Sequence, residues 1–592
     1  MIVKMKKTLE YVLSIILALV VIASLKISLD TSINSNFDTG NSIIYILLFA
    51  ILGVSIYKAI QIKEKRLVIC TLIISILFSL FEVIGFSIDT TKSLDCIISS
   101  KTVFLNSVIK FIGIATIIYI VILFLYEKVI PTINQREDKT NRLFNNKKSN
   151  FFILWGIIML AWLPYFLKYC PAIITPDSLD QIYQTQGINV LSNHHPVFHT
   201  FIIAIALNIG KLIENYNVGV AIFTVFQMLA LSAIFAFTLY TMSKKNINNG
   251  IKIGTFIFFA FYPVFGMYSI TIWKDIPFAI VMLLFILQLV DLVYNEKEFL
   301  NSKKKQIFLI ISMILVIMFR NNGIYVVLLT IPFLLWFYRK SIKKLLPITM
   351  IPVIFYLLYT GPVFKILNIK KGSVREALSI PLQQFVRVLK DRGDELTDKQ
   401  KQSIYNFLPQ ENIVDLYNPT LSDPVKACFD DEYFNNNKFE FIITWAGIVF
   451  GYPVEVVEAF LCNNYGYWYP EASNWVVSRV IMENELGIKA TSMIENKTLD
   501  FMDELIDNRD IPVISFIFSI GFMFWIDLIC VMYMIYKKQY KKLLVFIPIF
   551  AVWLTTIASP VFCEYRYVFS MVVTLPIIIA SVNMKVEEKK ED

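Results

Sequence analysis

All three histidines of this 592-residue chain, His194, His195 and His199, lie within six residues of one another in the stretch SNHHPVFHT. Shortly before it runs TPDSLDQIYQ, where Pro176 suits the start of a helix and Asp177, Asp180, Gln181 and Gln184 recur at i, i+3, i+4 and i+7. On a helix those four side chains face one way. Two carboxylates beside imidazoles make an acid/base or divalent-metal site, the carboxylate accepting a proton or supplying an oxygen ligand and a neutral imidazole ligating or relaying. Asp177 and His195 are the candidate ligands for such an ion, Mg or Mn. The same residues also suit an exposed, capped helix followed by a turn at His195-Pro196.

Further ionisable groups stand at the edges of apolar runs: Lys274 and Asp275 in IWKD, Arg320 in MFRNNG, and Glu564 and Arg566 in CEYRYVF. Such groups at membrane depth are costly and have a partner or a task. Arg offers a fork that matches phosphate and Lys a point charge, so Lys274, Arg320 and Arg566 are candidates to hold an anionic headgroup. Snorkelling and structural ion pairing are the alternatives. Trp273 reads as an interfacial anchor. The aromatic stretch CNNYGYWYP, with Tyr465 and Trp468, and the amide of Gln181 are candidate acceptor-side contacts, although Tyr and Trp there equally suit an interfacial belt. Arg375 and Arg387 read as solvent-facing pairs, and Asp423 with Lys426 as a turn cap.

The elements that must position these residues are membrane helices. The chain is 56% hydrophobic, its mean hydropathy is +0.62, and apolar runs suited to a hydrocarbon core of about 30 Å recur along it. Fourteen are expected, near 8–28, 43–61, 67–88, 103–126, 151–168, 218–242, 251–267, 275–295, 306–319, 322–338, 344–360, 511–535, 541–558 and 566–583. Lys and Arg collect in alternate connections, including SKKN at 243–246, NSKKKQ at 301–306 and YKKQYKK at 536–542, which places those connections in the cytoplasm. The Asp/His loop, IWKD, RNNG, 361–510 and CEYRY then share the extracytoplasmic face. One conflict arises: if the apolar stretch 197–212 spanned, SKKN would fall on the wrong side. The net charge of +9 is mostly topology, because the basic residues punctuate apolar helices instead of forming a stripe on a soluble face, and nucleic-acid binding is excluded.

Six parts follow: an N-terminal four-span module at 1–126, a charged linker at 127–150, a membrane core at 151–360 with its first outer loop at 169–196, a polar, mainly helical extracytoplasmic domain at 361–510, a three-span block at 511–583, and a solvated tail at 584–592. Within the polar domain LKDRGDELTDKQKQSIYNFLP reads as an amphipathic helix pair, and FIITWAGIVFGYPVEVVEAFL as an apolar stretch suited to the membrane surface. The basic N-terminal run lacks a small-residue cleavage pattern and reads as a retained span. Seven scattered cysteines frame neither a disulfide scaffold nor a zinc knot; Cys428 and Cys462 are read as free thiols. Walker, GxSxG and HExxH patterns are absent.

Taken in order, PDSLDQ, HHP, TIWKD, FRNNG, PLQQFVRV, YNPTLSDPVK and EYRY resemble a bacterial multi-span family placed near the GT-C superfamily of membrane glycosyltransferases. The resemblance covers about 150–583 and omits the first four spans. It implies a multi-pass protein of the bacterial plasma membrane that takes a sugar from a polyprenyl-phosphate carrier and transfers it, as a hexosyltransferase, to a glycan or protein acceptor outside. By resemblance Asp177 acts as general base, with Asp180 as second choice. His194 and His195 orient acceptor or metal, and Lys274, Arg320 and Arg566 neutralise the departing lipid phosphate. A serine follows Asp177, so the paired-acid pattern of several branches is missing. The reading requires Asp177 to lie within one sugar phosphate's length of Arg320 and Arg566. The rival classes are a transporter or flippase for lipid-linked glycans, which would bury charge near the membrane midplane, and a non-catalytic envelope-assembly protein. Glu82 and Asp527 are the main deep acids.

Overall fold

The computed structural model describes residues 2–29, 42–135, 141–145, 147–507, 514–561 and 563–584. The expected tail, beyond Met584, and part of the expected linker lie outside the described residues. Among the described residues the chain is all-helical, extended segments meeting only in isolated bridges such as Ile173 with Thr271 and Trp475 with Glu564. A hydrocarbon surround imposes this, since a helix satisfies its own backbone groups.

Four helices form the N-terminal block: α1 (Ile2–Lys26), α2 (Ser42–Ile60), α3 (Lys65–Thr91) and α4 (Lys101–Phe124). After them come α5 (Lys148–Lys168), the short α6 (Pro176–Gln186), α7 (Val197–Leu212), α8 (Tyr216–Lys244), α9 (Asn249–Phe261) and α10 (Pro263–Ser269). The second block ends with α11 (Asp275–Tyr294), α12 (Lys303–Phe319), α13 (Gly323–Phe337) and α14 (Ile342–Leu358). The polar segment holds α15 (Ser379–Arg392), α16 (Asp398–Phe407), α17 (Lys438–Gly451) and α18 (Pro453–Asn464), and the chain closes with α19 (Ile520–Tyr536), α20 (Ile547–Ala558) and α21 (Phe569–Asn583).

Nine helices among the described residues are long and apolar enough to cross a membrane, or up to eleven if the bent pairs α9–α10 and α17–α18 each count as one. The difference from fourteen is one of length. The expected runs at α12, α13, α19 and α20 form helices of 17, 15, 17 and 12 residues, shorter than the roughly 20 residues of a full crossing.

The conflict at 197–212 resolves in the packing of α7 on α8. Ile203, Ala206 and Leu207 of α7 share a core with Val220 and Phe223, and Gly210 approaches Gly219 so closely that a Cβ on it would lie 2.8 Å from the Gly219 backbone. α7 thus runs antiparallel to the N-terminal half of α8, and both its ends lie on the side away from Lys244. Its 16 residues reach about 24 Å, short of a crossing. The basic SKKN stretch therefore joins Lys305 at the opposite boundary, where Lys245 and Lys305 share Asp291.

α11 and α21 pack on each other at the centre and are buried on nearly every side. Each begins at the same boundary, α11 at Asp275 and α21 just after Arg566, and α12 ends there at Arg320. The N-terminal block, expected as an appended module, is built into this core. Phe81 of α3 packs edge-on against Trp468 and Trp525, and Leu94 donates its N–H to Glu458 of α18. The expected amphipathic pair forms as α15 and α16, whose Leu382, Phe385, Ile404 and Phe407 share a second core with Phe441 of α17. The apolar stretch after it is bent by 104° at Tyr452. Arg387 faces inward, not to solvent: it pairs with Glu458 at 2.6 Å and with Asp391. Lys426 is likewise buried, pairing with Asp423 and Glu376, and all seven cysteines are free.

Candidate functional site

Thr175 opens α6 in a capping box with Ser178, and Pro176 takes the first helical position as its fixed φ favours. The Ser178 hydroxyl donates to the Ile272 carbonyl, and Trp273 Nε1 donates to Thr175 Oγ1 at 2.6 Å. The start of α6 is thereby fastened to the turn that opens α11, which sets Asp177 beside Lys274. Trp273 itself is buried, 1% exposed. That corrects its reading as an interfacial anchor: indole N–H and ring face are both used inside the site.

Asp177 Oδ2 accepts from Arg566 Nη1 at 2.8 Å and lies 3.4 Å from Lys274 Nζ. Lys274 also donates to His195 Nδ1 at 2.9 Å, which assigns the proton of a neutral imidazole to Nε2, 3.4 Å from Asp180 Oδ2. Asp180 accepts from Asn189 and Gln184, each at 2.7 Å. Arg566 pairs through Nε with Glu564, and its guanidinium lies over the Trp273 and Tyr567 rings. Arg320 donates to the Tyr567 carbonyl at 2.7 Å and stands 3.5 Å from Asp275 Oδ1. Asn321 donates to the Asn193 carbonyl, tying that turn to the histidine loop. His194 is exposed, with its ring edge-on to His195.

Asp177, Asp180, His195, Lys274, Asp275, Arg320, Glu564 and Arg566 thus converge from four separate chain segments. Other expected members do not join them. Gln181 is buried and holds Thr200 and the His199 ring. Tyr465 and Trp468 are buried too, Tyr465 bonded to Asp89 and Trp468 packed on Phe81, so their faces serve the core and offer no acceptor platform. Tyr567, Asn189 and Asn321 are additions; Tyr567 and Asn321 sit one residue from Arg566 and Arg320, which is the only trace of them in the sequence.

Burial works against the Asp177 carboxylate, but Lys274 and Arg566 outweigh it and hold the group well below the usual carboxylate range. The hydrogen bond from His195 lowers Asp180 to about 2. Burial and then the Lys274 charge push His195 down to about 4, leaving it neutral at pH 7. Burial raises Glu564 against the pull of Arg566. The donors do not fit a metal ion as arranged: Asp177 Oδ2 serves two cations, both nitrogens of His195 face partners, and no metal-holding group of three or more His, Cys, Asp or Glu occurs among the described residues. What the arrangement offers is three cations, each answered by a carboxylate that an entering anion can displace, while Asp177 and Asp180 remain partly exposed, 31% and 34%.

Helices suited to crossing a membrane, closed around this ion-paired cluster at one boundary, define a multi-pass helical membrane protein. A family model described as "Family of unknown function (DUF6020)" matches residues 182–592, and the chain belongs to that family. The match takes in Lys274, Arg320 and Arg566 and begins five residues after Asp177. No curated protein and no solved structure matches the chain.

Proposed function

We propose that the chain is a GT-C-like membrane hexosyltransferase that moves a sugar from a polyprenyl-phosphate donor to a glycan or protein acceptor of the bacterial cell envelope. In this reading all fourteen apolar runs lie in the plasma membrane, the short α12, α13, α19 and α20 crossing only together with their flanking turns, and the site faces outward. The observation that carries it is the partly exposed Asp177 carboxylate held between Lys274 and Arg566 at the head of two buried helices.

A lipid phosphate entering from the bilayer competes with Asp177 for Arg566 and Lys274, with Arg320 as a third cation behind Tyr567. As those cations turn to the phosphate, the Asp177 carboxyl is released toward its ordinary range and becomes the better proton acceptor. The acceptor oxygen then bonds the anomeric carbon while the bond from that carbon to the phosphate oxygen breaks, its electron pair leaving with the phosphate. The hydroxyl proton passes to Asp177, and direct displacement inverts the anomeric centre. Negative charge grows on the phosphate where the cations already stand, the arrangement that commonly supplies the largest catalytic contribution. Asp180 orients His195, which steadies Lys274. No step uses a metal.

The test is transfer of labelled sugar from polyprenyl-phosphate donors to envelope acceptors in membranes carrying wild type or Asp177→Asn at equal abundance. Loss of transfer in the variant supports the reading. Transfer that survives removes Asp177 as base, and no transfer by wild type from any donor refutes the enzyme.

A further inference from the structure

At the far end of α11, about 24 Å along its axis from Asp275, a second polar region opens. A cavity of about 1910 Å³ lies where the ends of α8 and α11 meet the beginnings of α9 and α12. Six lysine and arginine side chains line it against two carboxylates, Asp291 and Glu298. Asp291 draws two of the cations together, lying 3.6 Å from Lys245 and 2.7 Å from Lys305. Lys252, in the first turn of α9, is buried at its wall.

Loops rich in lysine are ordinary at a cytoplasmic boundary, so charge alone assigns nothing here. Two other features do. Gln288 of α11 lines the cavity at 8% exposure, and its carboxamide has no hydrogen-bond partner among the described residues. The amide faces the cavity, where a ligand or water can satisfy it. Two helices also point their N-terminal ends inward: α9, capped by Asn248, and α12, capped by Ser302. Their exposed backbone N–H groups and dipoles favour an anion. On one side the wall turns apolar, where Ile307, Phe308 and Ile311 of α12 line the cavity and remain exposed. The cavity is larger than a typical small-molecule pocket, with room for a headgroup and the first part of its chains.

We propose that this cavity binds the phosphate headgroup of an anionic membrane lipid at the boundary opposite the candidate active site. The phosphate sits among Lys245, Lys252 and Lys305, Gln288 donates its amide N–H to a headgroup oxygen, and the acyl chain lies along Ile307, Phe308 and Ile311.

The experiment is native mass spectrometry of the full-length protein in detergent, titrated with phosphatidylglycerol, phosphatidylcholine or inorganic phosphate. Phosphatidylglycerol is retained over phosphatidylcholine, and Lys252→Gln or Gln288→Leu weakens it about tenfold, as expected for loss of one hydrogen bond to a charged group. Lys344→Gln serves as control: Lys344 bonds the Leu300 carbonyl and Asn301 near the same boundary but does not line the cavity, and its loss leaves binding unchanged. Equal retention of the two lipids, or equal weakening by Lys344→Gln, overturns the proposal. Inorganic phosphate binding as tightly as phosphatidylglycerol overturns the lipid assignment. If Lys252→Gln does not fold, Gln288→Leu, which changes no charge, decides the matter.

Discussion

Asp177 on α6 and Arg566 ahead of α21 are 389 residues apart and meet at 2.8 Å. Arg566 also holds Glu564, so one buried guanidinium answers two carboxylates. Removing it strands Glu564 and leaves Asp177 with Lys274 alone: Arg566→Gln is expected to cost about 3–5 kcal/mol, the range for breaking a buried pair from one side. Asp177→Asn leaves Arg566 paired with Glu564 and costs about 1 kcal/mol. The double variant loses less than the sum, because the neutral amide that replaces the Asp177 carboxylate leaves no charge there to be stranded. Thermal unfolding of the four proteins in one detergent gives the comparison, and strict additivity contradicts the pairing.

His195 supplies a pH dependence whose sign is fixed by its lowered value. Its pKa falls from 6.5 to about 4 on folding, so between those values the unfolded chain binds the extra proton and the folded chain does not. Stability rises with pH in that window. The contribution is complete above about pH 6.5 and is lost as the pH falls toward 4. Wild type therefore loses more melting temperature between pH 6.5 and 4.5 than His195→Gln does; parallel curves remove His195 as the cause.

Gly323 makes the Arg320 turn feasible. A Cβ at this position would stand 2.0 Å from the Val316 carbonyl oxygen of α12, so α13 can begin this close to α12 only with glycine. Gly323→Ala forces the turn open, displacing Arg320 from the Tyr567 carbonyl and Asn321 from Asn193. We expect a loss of about 1–3 kcal/mol, the usual cost of overpacking, together with a fall in binding of a lipid-phosphate donor. A variant with wild-type melting temperature and donor binding shows that the turn has slack.

How much of this was legible before folding depended on whether a residue's partner was also chemically unusual. Asp177, Lys274, Arg320 and Arg566 are legible because charge at the edge of an apolar run needs an explanation, and the fold supplies it by joining those edges. Tyr465 and Trp468 are ambiguous in the sequence because an aromatic stretch that packs on another helix has the same composition as one that stacks on a sugar. Only contact with Lys92 and Phe81, more than 370 residues earlier, tells them apart. Trp273 is ambiguous for the same reason, since nothing near it in the sequence announces that Thr175 takes its N–H. Span number is less legible: apolarity marks a buried helix and a membrane helix alike, and α12, α13, α19 and α20 are each apolar but shorter than a full crossing on their own.

Lys274 links the two halves of the site, and its removal should be visible at a group it merely neighbours. Its ammonium lies 2.9 Å from His195 Nδ1 and 3.4 Å from Asp177 Oδ2. Its charge helps depress the imidazole and, by the opposite sign, holds the Asp177 carboxyl down. Lys274→Met removes both effects, while Asp180 and Asp177 continue to favour a protonated ring. The His195 titration therefore moves upward from about 4 toward 6.5. With three histidines in the chain, selectively labelled imidazoles can be followed by NMR and the His195 signal assigned by its loss in His195→Gln. An unmoved midpoint in Lys274→Met shows that burial alone sets the imidazole, and that Lys274 does not transmit charge between Asp177 and the Asp180–His195 pair.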